Sequence, residues 1–258
     1  MKYFVVDAFT DQLFGGNPAG VCLLECWPDD AVMQSIAMEN NLAETAFLVR
    51  ADGHYGLRWF TPEVEIDLCG HATLASAFVL MNEVCAVSDT VAFHTKSGVL
   101  TVTKSGDVFM LDFPSRAPVA CETPALLEQA LGVRVLETHM SRDLLVLLDS
   151  EDTVRSLRPD YALLKQIEGV FAVIVTARGP DCDFVSRFFA PNAGIPEDPV
   201  TGSSHATLIP FWRPRLGKRR MTARQLSPRG GALLCEDCGS RVKIGGTAVC
   251  YLRGEISL

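Results

Sequence analysis

The stretch RWFTPEVEIDLCGHATL, Arg58 to Leu74, returns later in the chain as RFFAPNAGIPEDPVTGSSHATL, Arg187 to Leu208. Each copy sets an arginine, an aromatic residue, a phenylalanine and a proline ahead of a glycine and then His-Ala-Thr-Leu. Self-similarity of this kind marks one structural unit used twice. Duplicated halves tend to pack about a pseudo-twofold axis. The Gly70 and Gly202 turns are therefore expected to face each other across one cleft, where chemistry would sit.

The chain of 258 residues is long enough for one large domain or for two of common size, and the repeat favours two. Hydrophobic residues make up 48% and charged residues 21%, an ordinary balance for a globular protein. A net charge of -8 argues against nucleic acid, whose phosphates need a basic partner surface. The local basic stretch Arg213, Arg215, Lys218, Arg219, Arg220 and Arg224 reads first as a solvated face, with an interface or an anionic ligand as the alternative. The opening MKYFVVDAFT reads as a strand and lacks the pattern of a signal peptide. No apolar run reaches the ~18 residues that span a bilayer. The protein is therefore expected in the cytoplasm, away from membranes. Nine cysteines without an export signal point to reduced thiols. Cys235 with Cys238, and Cys22 with Cys26, have spacings found in zinc sites, but nothing in the sequence ties the two pairs together.

Along the chain, Lys2 to Val6 reads as a buried strand and Asp11 to Gly20, with its GGNPAG, as a loop. A helix is expected from Asp29 or Asp30 to Asn40 or Asn41. Strands follow at Thr45 to Val49 and Leu57 to Phe60, joined by a turn with Asp52 and Gly53. Thr73 to Val84 is apolar on most sides, as a buried helix is. Three strands fill Thr90 to Phe113, and the proline-rich 114–124 serves as linker. The second half repeats the order: a helix after Thr123, a strand at Leu144 to Leu148, a helix at Asp160 to Gln166 and a strand at Val170 to Val175. Laying Ala46 to Val49 over Ala172 to Val175 sets Glu44 opposite Val170. Glu44 thus has no acidic twin. A fold requirement recurs in both copies, whereas chemistry is needed in one, and a carboxylate opening a buried strand is costly without a partner.

At each turn a glycine precedes a helix of small and apolar residues, so that a ligand can approach the backbone and meet amides that favour an anion. Two such helix starts suit a carboxylate-bearing substrate. The acids Glu63, Glu65, Asp67, Glu197 and Asp198 read most simply as loop solvation and capping. His71 and His205 occupy matching places, so one of them need only be a structural histidine. Cys69 is matched by Thr201, which removes any two-thiol acid-base pair.

These motifs, in this order, resemble the PhzF family of phenazine-biosynthesis-like isomerases. The resemblance is carried by DAFTDQLFGGNPAGV, NNLAETAFL, RWFTPEVEIDLCGHATLA, RFFAPNAGIPEDPVTGSSHATL and LSPRGG, and covers essentially the whole chain. It implies an α+β fold of two pseudo-symmetric diaminopimelate epimerase-like domains, each a curved, mostly antiparallel sheet wrapped around a central helix. The expected bounds are 1–113, completed by the last strand at about 249–258, and 114–248. It also implies a homodimer with the active site between the domains. The family's catalytic residues fall on Glu44, His71 and Asp198, and its substrate-binding turn residues on Gly70, Gly202 and Ser203.

The function so implied is a cofactor-independent, metal-free isomerase that shifts a proton within a small anionic substrate. Glu44 removes a proton from carbon, and the same group or the Asp198 and His71 pair returns it. The isolated GGNPAG has neither the dinucleotide nor the phosphate-loop pattern. Two alternatives stand: an epimerase or racemase using Cys69 as its single base, and a non-catalytic ligand-binding or interaction protein of the same fold.

Overall fold

The computed structural model describes residues 1–51, 53–85 and 89–257. It is a mixed α/β protein, with extensive sheet and few helices. The chain folds into two compact units, Met1–Asp112 with Gly245–Leu258, and Phe113–Ile244.

In the first unit, β1 (Lys2–Ala8), β2 (Asn17–Leu24), β3 (Glu44–Ala51) and β4 (His54–Phe60) lie side by side, antiparallel except for the parallel β2–β3 pair. β4 pairs with the short β5 (Glu65–Ile66) and, in parallel, with β6 (Thr90–Thr95). β7 (Gly98–Ser105) and β8 (Val108–Pro114) extend this as a meander, and the late strand β18 (Ala248–Glu255) adds antiparallel to β1. The second unit holds β9 (Val119–Ala120), β10 (Glu137–Met140), β11 (Leu144–Leu147), β12 (Val173–Ala177), β13 (Phe184–Ala190), β14 (Ile195–Asp198), β15 (Arg220–Gln225), β16 (Gly231–Asp237) and β17 (Arg241–Gly246). From β10 to β16 its pairings repeat those of β1 to β7: antiparallel, parallel, antiparallel, a short antiparallel strand, then a parallel and an antiparallel step. The sequence repeat is thus a repeat of topology.

Helices cover the first unit's sheet on two faces. α1 (Asp30–Asn40) packs on β3 and β4, where Met33, Ile36 and Ala37 meet Cys22, Phe47 and Phe60. It ends as expected, with Asn41 in the left-handed region. α2 (Gly70–Phe78) packs against β1, β2, β3, β7 and β18, and all nine of its residues are buried. Its hydroxyls are satisfied locally, Thr73 Oγ1 donating to Cys69 O and Ser76 Oγ to Ala72 O. A π-helical turn, Val79–Glu83, prolongs it.

In the second unit, α3 (Leu127–Leu131), α4 (Glu151–Ser156) and α5 (Tyr161–Leu164) pack Leu127, Leu131, Val154 and Leu164 onto Val173, Val175 and Phe189. α6 (His205–Leu216) packs on β16.

Each repeated arginine clamps the hairpin that follows it. Arg58 Nε and Nη2 donate to the two Glu65 carboxylate oxygens, both at 2.7 Å, and Nη1 donates to Asp30 Oδ1 at 2.8 Å. Arg187 grips Glu197 in the same fork at 2.7 and 2.9 Å, while its Nη1 donates to the carbonyls of Val154 and Leu157. Each guanidinium also lies over a phenylalanine two residues on, Phe60 at 5.2 Å and Phe189 at 5.0 Å. Hydrogen bonds from Arg58 hold the Glu65 carboxyl below the usual range. Glu65 and Glu197 are therefore structural partners of the motif, beyond the loop solvation expected of them.

Three expectations need correction. The GGNPAG segment is a loop only as far as Gly16; Asn17 opens β2, and Pro18 stands at its start, opposite Asp7 of β1 and before the β2–β3 ladder begins at Ala19. The strand expected at Val170 to Val175 runs from Val173 to Ala177. Finally, Phe47 lies opposite Arg58 and Val175 opposite Arg187, so the common register sets Glu44 against Ala172, not Val170. The slip of two residues preserves the face, and Glu44 still has no acidic twin. The expected turn residue Asp52 lies outside the described residues.

The basic stretch is matched by acids: Arg213 pairs with Asp237, Arg215 with Glu137, Lys218 with Asp183 and Arg220 with Glu236. All nine cysteines are free thiols, and among the described residues the CxxC and CxxxC cysteines do not gather into a metal-binding group. No helix among the described residues is long and apolar enough to cross a membrane.

Candidate active site

Strand alternation decides what meets α2. Phe47 on β3 and its β2 neighbour Cys22 face α1, so Ala46 and Glu44 point to the opposite face, together with Val21, Ala19 and Asn17 of β2. The ladder sets Glu44 beside Ala19, two residues from Asn17. α2 covers this face and brings His71 in its first turn. Glu44, Asn17 and His71 thus converge from three elements into the interior, at 9%, 0% and 5% exposure.

His71 is the hub. Its Nε2 lies 3.1 Å from Glu44 Oε2, ion-pair range, at an angle outside that of a regular hydrogen bond. Its Nδ1 lies 3.3 Å from Asn17 Nδ2 and 3.5 Å from Cys69 Sγ. Burial alone would lower the affinity of the imidazole for a proton, but its neighbours Cys69 and Glu44 outweigh it, and the His71 pKa is raised well above 6.5. Burial, with the Glu44 charge added, pushes the Cys69 thiol up. Cys69 is therefore held as the neutral thiol, and the Glu44 carboxylate is the anion that matters to His71.

The donor atoms of Glu44, Cys69 and His71 lie within 4.8 Å of one another. The carboxylate faces Nε2 and the thiol faces Nδ1, on separate edges of one ring. The arrangement suits sharing a proton between an acid and an imidazole.

Gly70 is the first residue of α2 and is buried in this corner. The remaining expected residues lie in the second unit. Asp198 ends β14, half-buried; Thr201 Oγ1 donates to its carboxylate, and Gln225 Nε2 donates to its main-chain oxygen at 2.8 Å. Gly202 and Ser203 form the turn into α6, their carbonyls accepting from the amides of His205 and Ala206. Gln225 also accepts from Thr201 N, and Ser227 Oγ donates to Pro199 O, so β15 and its following turn pin the Asp198 loop. Asn17 and Gln225 were not singled out in the sequence. For Asn17 the signal was present, a polar residue between glycine and proline at the mouth of an apolar run.

Comparison with known proteins follows the same lines. The profile of the phenazine biosynthesis-like protein family matches residues 6–254. A Pseudomonas aeruginosa protein named an uncharacterized isomerase is 51% identical over 258 residues, 100% of this chain and 99% of its own. The crystal structure of a PhzF family phenazine biosynthesis protein from Enterococcus faecalis superposes with a TM-score of 0.98 at 50% identity, covering 100% of this chain and 99% of that one. A probable proline racemase from Agrobacterium radiobacter, 12% identical, shares the fold with a TM-score of 0.67 over 100% and 93% of the two chains. The chain belongs to the phenazine biosynthesis-like PhzF family.

Proposed function

We propose that the protein is an isomerase that moves a proton within a small, carboxylate-bearing substrate, with Glu44 as general base and acid. The observation that carries this reading is the buried Glu44 carboxylate held 3.1 Å from His71 in the first turn of α2. Such a pair keeps the carboxyl in position and gives its charge a counterpart while it takes and returns a proton. His71 supplies that counterpart, and Asp198 is the further acid-base group that the family motif implies. Gly70, Gly202 and Ser203 bind the anionic substrate through backbone amides and a hydroxyl. The chemistry calls for neither redox cofactor nor metal, and the protein works as a cytoplasmic homodimer. Relatives named as isomerases support the reaction class.

The test uses deuterium oxide. A panel of small unsaturated and carbonyl-bearing carboxylates is incubated with the protein, and carbon-bound deuterium is read by NMR and mass spectrometry. Glu44→Gln keeps the shape and removes the base. Exchange should fall by about 100-fold or more while the ligand still binds. Undiminished exchange in that variant refutes the assignment.

A further inference from the structure

The GGNPAG motif has no role in the chemistry above, yet the backbone around it is unusual. Phe9 and Phe14 have φ of 64° and 70°, and Gly16 has φ 61°. A Cβ on Gly16 would lie 2.1 Å from Ala8 O, so only glycine allows the chain to turn so closely against β1. The turn delivers Asn17 to the start of β2 with no exposed surface. Strain of this kind persists where surrounding structure holds it, and it gathers at functional positions.

What Asn17 reaches is the ring nitrogen of His71 that does not face Glu44. A neutral imidazole has one N–H donor and one acceptor, and the group that donates to one nitrogen leaves the proton to the other. Asn17 Nδ2 stands 3.3 Å from Nδ1. The Cys69 thiol is the other group facing Nδ1, at 3.5 Å, and S–H is the weaker donor. We infer that Asn17 is a positioning residue: by donating to Nδ1 it holds neutral His71 as the Nε2–H tautomer, with the protonated nitrogen on the edge of the ring that lies 3.1 Å from Glu44 Oε2. If Glu44 is the base proposed above, the tautomer sets an N–H rather than a lone pair beside Oε2 and leaves the other carboxylate oxygen to meet the reacting hydrogen. That consequence rests on the proposed function; the tautomer itself does not.

The measurement needs no substrate, so its outcome is separate from that of the exchange assay. Protein labelled with 15N-histidine is titrated from about pH 6 to pH 10, and the ring nitrogens are read by two-bond 1H–15N correlation. The His71 signals are identified by their loss in His71→Gln. Wild type should show, once His71 is neutral, an acceptor-type Nδ1 and a protonated Nε2. Asn17→Ala should lose that preference and give a mixture of tautomers. Asn17→Asp, nearly the same shape but with no donor, should move the proton to Nδ1 and raise the His71 pKa by about one unit or more. A protonated Nδ1 in neutral wild-type His71, or a tautomer and pKa unchanged in Asn17→Asp, overturns the inference. So does an unchanged tautomer in a folded Asn17→Ala, which would assign the role to the thiol.

Discussion

The two copies of His-Ala-Thr-Leu begin helices on equivalent sheets, yet their histidines are put to opposite uses. His71 stands against a carboxylate and keeps a raised pKa. His205, fully buried, engages the Thr201 carbonyl through Nδ1 at 2.9 Å and lies by the Phe184 ring; burial lowers its pKa to about 4. The helix sequence is nearly the same, so the difference comes from the strand beneath. Where β3 opens with Glu44, the equivalent position is the buried Ala172. Duplication supplied the scaffold twice, and one acidic side chain sets the histidine of one copy against a carboxylate.

The largest expected effect separates the twin clamps. Both arginines fork a glutamate, but the Arg187 side chain is 6% exposed against 19% for Arg58, whose additional partner Asp30 is at the surface. Arg187→Ala strands Glu197 and two carbonyls, and should cost about 3–5 kcal/mol of unfolding free energy. Arg58→Ala leaves its glutamate with Lys96 still beside it, and should cost about 1–3 kcal/mol. Urea titrations of the two variants measure both values. Equal losses would mean that burial does not distinguish the copies.

The next effect uses the opposite signs of the two histidines. His205 binds a proton more weakly folded than unfolded, so the unfolded chain takes up protons first as pH falls from 6.5 toward 4, and stability is lost across that window. The loss is about 3 kcal/mol in full. His71 has the raised folded pKa. Its contribution is fully present below pH 6.5 and is lost as pH rises through the folded value. His205→Phe, which can pack by Phe184 and Trp212 while Thr201 O still accepts from Ser204 Oγ, should flatten the acid limb of the stability profile and leave the alkaline limb alone. His71→Gln should do the reverse. A single limb responding to both substitutions would break the comparison.

Much of this was legible before the structure. The repeat announced its shared topology because the arginine, the aromatics and the glycine turn each do the same work twice. α1 was bounded by Asp29 and Asn41, whose side chains suit helix ends. Glu44 stands out because it opens a buried strand and has no acidic twin in the second copy. What escaped notice was set by neighbours distant in sequence. β2 is covered on both faces, but in the sequence the glycine and proline near its start outweigh the apolar run that follows and make Asn17 look like a turn residue. Matching the alanines Ala46 and Ala172 sets the strand register two residues off, because the fixed point is the arginine opposite Phe47 and Val175. Glu65 and Glu197 resembled ordinary loop acids until their strands folded back to the arginines.

The smallest expected effect concerns the residues before the paired glycines, Cys69 and Thr201. A thiol working as the base needs a route to the thiolate near neutral pH, by a helix start or a nearby cation. Cys69 has such a cation beside it in His71, but burial and the Glu44 charge prevail and push its pKa up. Thr201 offers no second thiol, and its hydroxyl is committed to Asp198. Cys69→Ser keeps a small polar group facing His71 Nδ1 and leaves Glu44 untouched. Deuterium exchange should therefore stay within a few fold of wild type, about 1 kcal/mol in the barrier. If Cys69→Ser, or alkylation of that thiol alone, stops exchange while Glu44→Gln does not, the base is the thiol, and the distinction between the copies passes from the start of β3 to the start of α2.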